Sequence, residues 1–132
     1  KHAVPHMIPT GGSIINISSI GSVVPDLSRL AYGVSKSAVN WLTKNIALQY
    51  ARHNIRCNAV APGATVTPAH LANKAGEQPG GAEMLKYSGH FVYFPGPECD
   101  PMDQAYACLY LASKMGRAVR GQVIQVCNGA FL

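Results

Sequence analysis

Short apolar runs alternate along the chain with longer segments of helical periodicity, and this order predicts parallel strands joined by helices. The runs at residues 13–19, 55–61 and 122–127 are mostly apolar and β-branched, which is typical of buried strands. Helices are predicted at residues 30–52 and 100–113. Because a helix precedes each later strand, we predict an α/β fold, a partial doubly wound parallel sheet of about three strands with flanking helices.

The first predicted helix is apolar on much of its circumference, which suggests that it packs on more than one neighbour. One apolar stripe contains Val34 and Leu42 and the next contains Val39 and Ile46, and we expect the helix to pack on a sheet. Trp41 and Leu48 are candidates for the side that faces a partner helix. Asn54 is predicted to end the helix.

Residues 64–101 have no clear periodicity, although a short helix at residues 81–87 is possible. Pro and Gly are concentrated in this segment at residues 79–81 and 95–97. Long irregular segments that follow the carboxyl end of a strand are usually functional, so we predict a substrate loop or lid. Asp100 is the predicted N-cap of the helix that follows.

The length of 132 residues, with 48% hydrophobic residues, predicts a single domain over residues 1–132. The chain does not begin with Met, and residues 1–9 look like the tail of a helix. We therefore expect the chain to be the C-terminal part of a longer protein.

Charge and cysteine content exclude several classes of function. Eleven Lys and Arg against six Asp and Glu give a net charge of +5, but the cations are scattered, so we expect neither nucleic-acid nor membrane binding. The histidines have no metal-ligand spacing, no metal site is predicted, and we expect His70 to be solvated, with a place in a substrate pocket as the alternative. We predict free thiols in a reducing compartment, and hence a cytoplasmic protein, since no C-x-x-C pair occurs among Cys57, Cys99, Cys108 and Cys127.

Tyr32 and Lys36 are four residues apart near the start of the first predicted helix, so both side chains are expected on one helix face. A phenol ionises near pH 10, and a neighbouring cation favours its ionised form, so the pair suggests acid–base chemistry. The alternative is an aromatic residue at the core edge beside a solvated amine. Ser19 ends the first predicted strand, at the sheet edge where ligands bind in open parallel sheets.

Three segments together resemble the short-chain dehydrogenase/reductase family. These are residues 15–19 (INISS), residues 32–36 (YGVSK), which begin thirteen positions after Ser19, and residues 58–67 (NAVAPGATVT). The resemblance extends from about Met7 to the C-terminus. It implies a Rossmann-like fold and hydride transfer between a secondary alcohol or ketone and NAD or NADP.

The resemblance also assigns roles to individual residues. Tyr32 would exchange a proton with the substrate oxygen, Lys36 would assist Tyr32 and bind the nicotinamide ribose, and Ser19 would polarise the carbonyl group. The loop that holds the cofactor would contain Pro62, Gly63, Thr65 and Thr67. A plain turn with surface threonines is the alternative for that loop.

Some features of the family pattern are missing from the chain. Cys127 and Asn128 stand where the family commonly has Asp-Gly, and no glycine-rich pyrophosphate loop occurs. The resemblance therefore covers the C-terminal catalytic half of a family chain, without its N-terminal cofactor-binding half. The resemblance implies a homo-oligomer for the complete protein and a small-molecule alcohol or ketone as its substrate. The alternative function is a truncated, non-catalytic interaction module.

Overall fold

The centre of the computed structural model is a sheet of three parallel strands in the order β1-β2-β3. The structure describes residues 2–24, 30–74, 86 and 96–130. The predicted α/β fold class is confirmed. In chain order the described elements are α1 (Ala3–Met7), β1 (Gly12–Ile17), α2 (Leu30–Gln49), β2 (Ile55–Pro62), α3 (Pro68–Lys74), α4 (Pro101–Ala112) and β3 (Val123–Val126).

Strand β2 is the middle strand, and residues 55–61 are buried because both of its edges are paired and helices cover both faces. On β1, the Ser13 hydroxyl donates to the carbonyl of Leu111 in α4 (2.9 Å), whereas the Asn16 amide donates to Thr43 in α2 (2.9 Å). Side chains an odd number of positions apart on a strand point to opposite faces. Helices α2 and α4 therefore cover opposite faces of the sheet, as a doubly wound fold requires.

The strand order and the faces that the helices cover fix the hands of the two crossover connections. The strands follow one another in a single direction across the sheet, and both connections join parallel neighbours. With α2 and α4 on opposite faces, the two crossovers must have opposite hands. Since parallel crossovers are nearly always right-handed, one of these two connections is unusual.

Helix α2 ends earlier than predicted. It is α-helical over Leu30–Gln49, and the chain then tightens into a 3-10 turn at Ala51–His53. Asn54 follows with φ 54°, a left-handed conformation that Asn tolerates better than most residues, so its predicted place at the helix end is confirmed.

Of the two apolar stripes predicted on α2, only the second lies against the rest of the protein. Val34 and Leu42 of the first are 60% and 52% exposed, whereas Val39 and Ile46 of the second are half-buried, and the buried residues of α2 are Thr43 and Ala47. The packed face therefore includes a polar side chain, and the Thr43 hydroxyl accepts a hydrogen bond from the Asn16 amide of the sheet. Apolar periodicity alone does not register such a face.

The ends of the other elements differ by one or two residues from the predictions. Strand β1 ends at Ile17, so Ser18 and Ser19 follow the strand instead of belonging to it. Asp100 caps α4 as predicted: its carboxylate accepts from the backbone N–H of Met102, and the Asp103 side chain accepts from the backbone N–H of Asp100.

The segment expected to be irregular contains a helix, α3, which the sequence analysis missed. The possible helix at residues 81–87 lies outside the described residues, apart from Lys86. Beyond this gap the chain returns to the place it left: Thr65 and Cys99 form a parallel bridge with backbone bonds from Cys99 to Ala64 and from Val66 to Cys99 (both 2.9 Å).

Candidate functional site

Ser19 lies at the carboxyl-terminal edge of the sheet, two residues after β1. Ser18 still pairs with the central strand, since its N–H donates to the carbonyl of Val60 (2.7 Å). The chain then enters a 3-10 turn at Ile20–Ser22, and the Ser19 hydroxyl caps this turn by accepting from the N–H of Gly21 (3.2 Å). The proton of the Ser19 hydroxyl has no acceptor among the described residues, so it is available to an external oxygen.

Tyr32 and Lys36 lie on the same face of the first turns of α2. The Lys36 ammonium is 5.6 Å from the centroid of the Tyr32 ring, a distance at which a cation and an aromatic ring attract each other. Lys36 Nζ also donates to the carbonyl oxygen of Ile17 at the end of β1 (3.0 Å). Tyr32 is 46% exposed, so its phenol is accessible from solvent.

Lys36 therefore connects the helix face that carries Tyr32 to the strand end that precedes Ser19. The carbonyl oxygen of Lys36 also lies 3.3 Å from the hydroxyl of Ser18. Both contacts bring α2 close to the two residues before Ser19. A hydroxyl, a phenol and an ammonium thus lie along one short junction between a strand end and a helix.

Asn40, which was not among the predicted site residues, lies one turn after Lys36 on the same helix. Its side chain is bonded to Ser18 and Ser22, on either side of Ser19 in the chain. The available signal was its position, since residues 32, 36 and 40 share one helix face. The resemblance to the family assigned catalytic roles to Ser19, Tyr32 and Lys36 only, so position on the helix was the one signal for Asn40.

The predicted cofactor loop is tightly packed where it leaves β2. The N–H of Gly63 donates to the carbonyl of Val126 (2.9 Å), and a Cβ atom at Gly63 would lie 2.6 Å from the Cβ of Cys127. A larger residue than glycine would therefore collide with the end of β3. Pro62 is the last residue of β2, so the loop begins directly at the sheet edge.

The two threonines of this loop differ in their free hydrogen-bonding capacity. The Thr65 hydroxyl donates to the carbonyl of Gly63 (3.1 Å) and accepts from the side chain of Gln104 (3.3 Å). The Thr67 hydroxyl accepts from the N–H of His70 (3.1 Å), and its proton has no acceptor within the described part of the chain. Thr67 is therefore the better placed of the two to donate to a ligand.

His70 is not the solvated side chain that was expected. It lies in α3 and its Nε2 atom is 3.0 Å from the carboxylate of Glu98, with each side chain 28% exposed. The pair joins α3 to the segment that re-enters beside Thr65. No local sequence pattern links residues 28 positions apart, so the sequence held no signal for this contact.

The four cysteines are free thiols. Burial raises the pKa of Cys57, an effect that hydrogen bonds from Thr43 and Asn16 partly oppose. Burial also raises the pKa of Cys99 and of Cys108, and for Cys99 the Asp103 carboxylate and the Cys127 thiol add to the effect.

The described residues contain no group of three or more His, Cys, Asp or Glu side chains that could hold a metal ion. Within the same residues, no helix has the length and apolar character needed to cross a membrane.

Comparison with known proteins gives consistent matches over the whole chain. A family described as Enoyl-(Acyl carrier protein) reductase matches residues 1–130. A 7alpha-hydroxysteroid dehydrogenase from Clostridium sardiniense is 52% identical over 133 residues, which cover 100% of this chain and 48% of that protein. A 7alpha-hydroxysteroid dehydrogenase from Bacteroides fragilis is 40% identical over 119 residues, covering 90% of this chain and 43% of that protein.

A solved structure agrees with these matches. The crystal structure of a short chain dehydrogenase from Mycobacterium paratuberculosis bound to NAD superposes with a TM-score of 0.82 at 30% identity, covering 96% of this chain and 48% of that chain. The chain thus spans about half the length of the relatives that it matches.

Proposed function

The chain belongs to the short-chain dehydrogenase/reductase family, and we propose that the whole protein is an NAD- or NADP-dependent oxidoreductase that interconverts a secondary alcohol and a ketone. The observation that carries this proposal is the placement of Lys36 between the Tyr32 ring (5.6 Å) and the carbonyl of Ile17 (3.0 Å). This contact brings the helix face of Tyr32 next to the strand end of Ser19.

Tyr32 is the proposed proton donor and acceptor at the substrate oxygen. Tyr32 is accessible from solvent and the Lys36 ammonium lies against its ring, which places a positioned acid–base group beside a cation at this edge of the sheet. Ser19 donates its free hydroxyl proton to the same substrate oxygen and so polarises the carbonyl bond. The N–H of Gly21 orients this hydroxyl by donating to it, which aims the proton away from the turn.

The donor set at this edge of the sheet fits a nicotinamide dinucleotide. An ammonium has three donors, and within the described residues Lys36 uses one of them on Ile17, so the other two can serve the hydroxyl groups of a ribose. The free proton of Thr67 suits a phosphate oxygen, and Pro62 and Gly63 form the backbone wall beside it. The proposed role of Thr65 is to hold this wall through its bond to Gly63. When bound, the nicotinamide supplies or accepts the hydride.

We propose a hydroxysteroid or a similar rigid, mostly apolar alcohol as the substrate class. The support is the name of the two relatives, both 7alpha-hydroxysteroid dehydrogenases. Residues 64–101 follow the carboxyl end of β2, the position where open sheets bind ligands, so we assign this segment to substrate binding. Four free thiols fit a reducing compartment, so cytoplasmic location is part of the proposal.

We further propose that the whole protein forms a homo-oligomer through α2. Val34, Trp41 and Leu48 are spaced seven residues apart on this helix and are 60%, 70% and 78% exposed. Such a stripe is the usual seam between two packed helices. The same stripe is what favours the second candidate function, a non-catalytic interaction module.

A turnover assay on the whole protein tests the proposed function and separates it from the interaction module. We expect formation of NADH or NADPH from the oxidised cofactor when a 7alpha-hydroxysteroid is added. Tyr32→Phe should reduce kcat by about 10²-fold to 10⁴-fold, the contribution of a positioned acid–base group. Tyr50→Phe is the matched control, since Tyr50 lies at the far end of α2 and should leave kcat unchanged. Full activity in Tyr32→Phe, or no turnover of any secondary alcohol or ketone by the folded wild type, would contradict the proposal.

A further inference from the structure

A continuous chain of hydrogen bonds runs through Asn40 from Ser18, the residue before Ser19, to Ser22, three residues after it. The hydroxyl of Ser18 donates to Asn40 Oδ1 (2.6 Å), and Asn40 Nδ2 donates to the hydroxyl of Ser22 (2.7 Å). The Ser22 hydroxyl in turn donates to the carbonyl oxygen of Ser19 (2.5 Å). Ser18 is buried and Asn40 is half-buried, so this chain lies beneath the turn that presents Ser19.

The direction of each donor follows from the number of protons available. A hydroxyl has one proton and an amide oxygen has none, so Ser18 donates to Oδ1 and the amide nitrogen donates to Ser22. The proton of Ser22 then has two acceptors within reach, the carbonyl oxygen of Ser19 at 2.5 Å and the hydroxyl oxygen of Ser18 at 3.1 Å, and the shorter contact assigns it to the Ser19 carbonyl. If the amide were turned round, Asn40 Oδ1 would compete for that proton, and donation to Oδ1 would leave the Ser19 carbonyl with the N–H of Ser22 alone.

We propose that Asn40 is a positioning residue that orients Ser19 for the substrate by directing the proton of Ser22 onto the Ser19 carbonyl. The inference rests on the proposed function, in which Ser19 polarises the substrate carbonyl. Asn40 lies one helical turn after Lys36, so the helix that carries Tyr32 and Lys36 also sets the backbone of Ser19. The three groups of the site therefore share one rigid support.

The Ser19 carbonyl accepts from two donors of the same residue, the N–H of Ser22 (3.0 Å) and its hydroxyl. The backbone bond keeps the turn closed when the hydroxyl bond is lost, so the fold should persist. The orientation of Ser19 is then held by one bond in place of two. A displacement of about 1 Å at a reacting group can cost up to about 10²-fold in rate.

Asn40→Asp tests the direction of the donor chain at almost constant side-chain shape. A carboxylate only accepts, so it takes the protons of both Ser18 and Ser22 and leaves the Ser19 carbonyl without the hydroxyl bond. We expect kcat with a hydroxysteroid to fall about tenfold or more, while KM for the cofactor changes less than about twofold. Ser22→Ala removes the hydroxyl that donates to the Ser19 carbonyl, adds no charge, and should lower kcat by a similar factor. This second variant provides the test if Asn40→Asp does not fold.

Ser37→Ala is the matched control. The Ser37 hydroxyl also runs from α2 to this turn, donating to the carbonyl of Ser22 (3.1 Å), but it lies outside the donor chain. Its loss should leave kcat within about twofold of the wild type.

A double-mutant cycle with Ser19→Ala distinguishes positioning from a general structural role. If Asn40 and Ser22 act through the Ser19 hydroxyl, Asn40→Asp and Ser22→Ala should each have no further effect on the residual kcat of Ser19→Ala. An equal loss with and without the Ser19 hydroxyl would overturn the inference, as would wild-type kcat in both single variants. The proposed function fails separately, by an inactive wild type or an active Tyr32→Phe.

Discussion

Lys36 Nζ donates to the carbonyl oxygen of Ile17 at 3.0 Å, and this bond joins the helix that carries Tyr32 to the strand end that leads into Ser19. The same ammonium lies 5.6 Å from the centre of the Tyr32 ring. One charged side chain therefore contacts both parts of the proposed site, and among the described residues it uses one of its three donors.

We predict that Lys36→Ala weakens binding of the nicotinamide cofactor. Hydrogen bonds from a charged group contribute about 1.5–3 kcal/mol, which corresponds to roughly a tenfold to hundredfold rise in Kd. Titration of the whole protein with NADH and NADPH, followed by cofactor fluorescence, measures the change. Lys44→Ala, a change of an exposed lysine two turns further along the same helix, should bind as the wild type does. Equal affinity in Lys36→Ala and wild type would remove Lys36 from the cofactor site.

Adjacent serines should respond in opposite ways to the same substitution. Ser18→Ala leaves the half-buried Asn40 oxygen without its donor, and we expect it to lower the free energy of unfolding by about 1–3 kcal/mol. Ser19→Ala removes the cap of a single 3-10 turn and should cost less, about 0.5–1 kcal/mol, while lowering kcat by about tenfold to hundredfold. Urea unfolding and steady-state kinetics of the two variants give both quantities. If Ser18→Ala kept the wild-type stability and lowered kcat more than Ser19→Ala does, Ser18 would be the catalytic serine and Ser19 the structural one.

The His70–Glu98 pair should contribute modestly to stability. Both side chains are 28% exposed, and double-mutant cycles on such pairs give about 0.2–1 kcal/mol. We expect a coupling energy in this range from a double-mutant cycle of His70→Gln and Glu98→Gln, measured by urea unfolding. As a control, His53→Gln combined with Glu98→Gln should be additive. Additivity in the first cycle would show that the contact does not persist in solution.

Buried thiols should make the protein less stable in alkali. The pKa of Cys57 is raised by burial above the ordinary value of 9.0, so the thiol keeps its proton in the folded state. Below about pH 9 both states hold the proton and the stability is complete. As the pH rises further, the unfolded chain ionises first, and the free energy of unfolding falls. Urea unfolding between pH 7 and 10 should show a shallower fall for Cys57→Ala than for the wild type, and parallel curves would contradict this.

Local sequence patterns specify the strands, the long helix and the spacing of Ser19, Tyr32 and Lys36, so these features could be predicted from the sequence. Helix α2 has twenty residues with a clear period, and Asp100 carries its own capping signal. The buried face of α2 could be predicted only in part, since it combines the apolar stripe of Val39 and Ile46 with Thr43, whose burial depends on a hydrogen bond to Asn16 of the sheet. The sheet face chosen by α4 depends on the hand of a long connection, which no local pattern encodes.

The missed features of the site all depend on contacts between distant residues. Helix α3 has only seven residues, and among the described residues it is held by the Thr67 hydroxyl and by Glu98, which lies 28 positions after His70. Short helices have little stability of their own, so tertiary contacts decide where they form. Asn40 has an ordinary helical position, and its importance follows only from the approach of Ser18 and Ser22.

Transfer of a labelled hydride is the most direct test of the central claim. The whole protein is incubated with a 7-ketosteroid and NADH or NADPH that carries deuterium at the transferable position, and the product is analysed by mass spectrometry and NMR. We predict one deuterium on the carbinol carbon of the alcohol product, with Tyr32→Phe forming this product at least about 10²-fold more slowly and Tyr50→Phe at the wild-type rate. An alcohol product without deuterium, or one formed equally fast by Tyr32→Phe, would contradict the account.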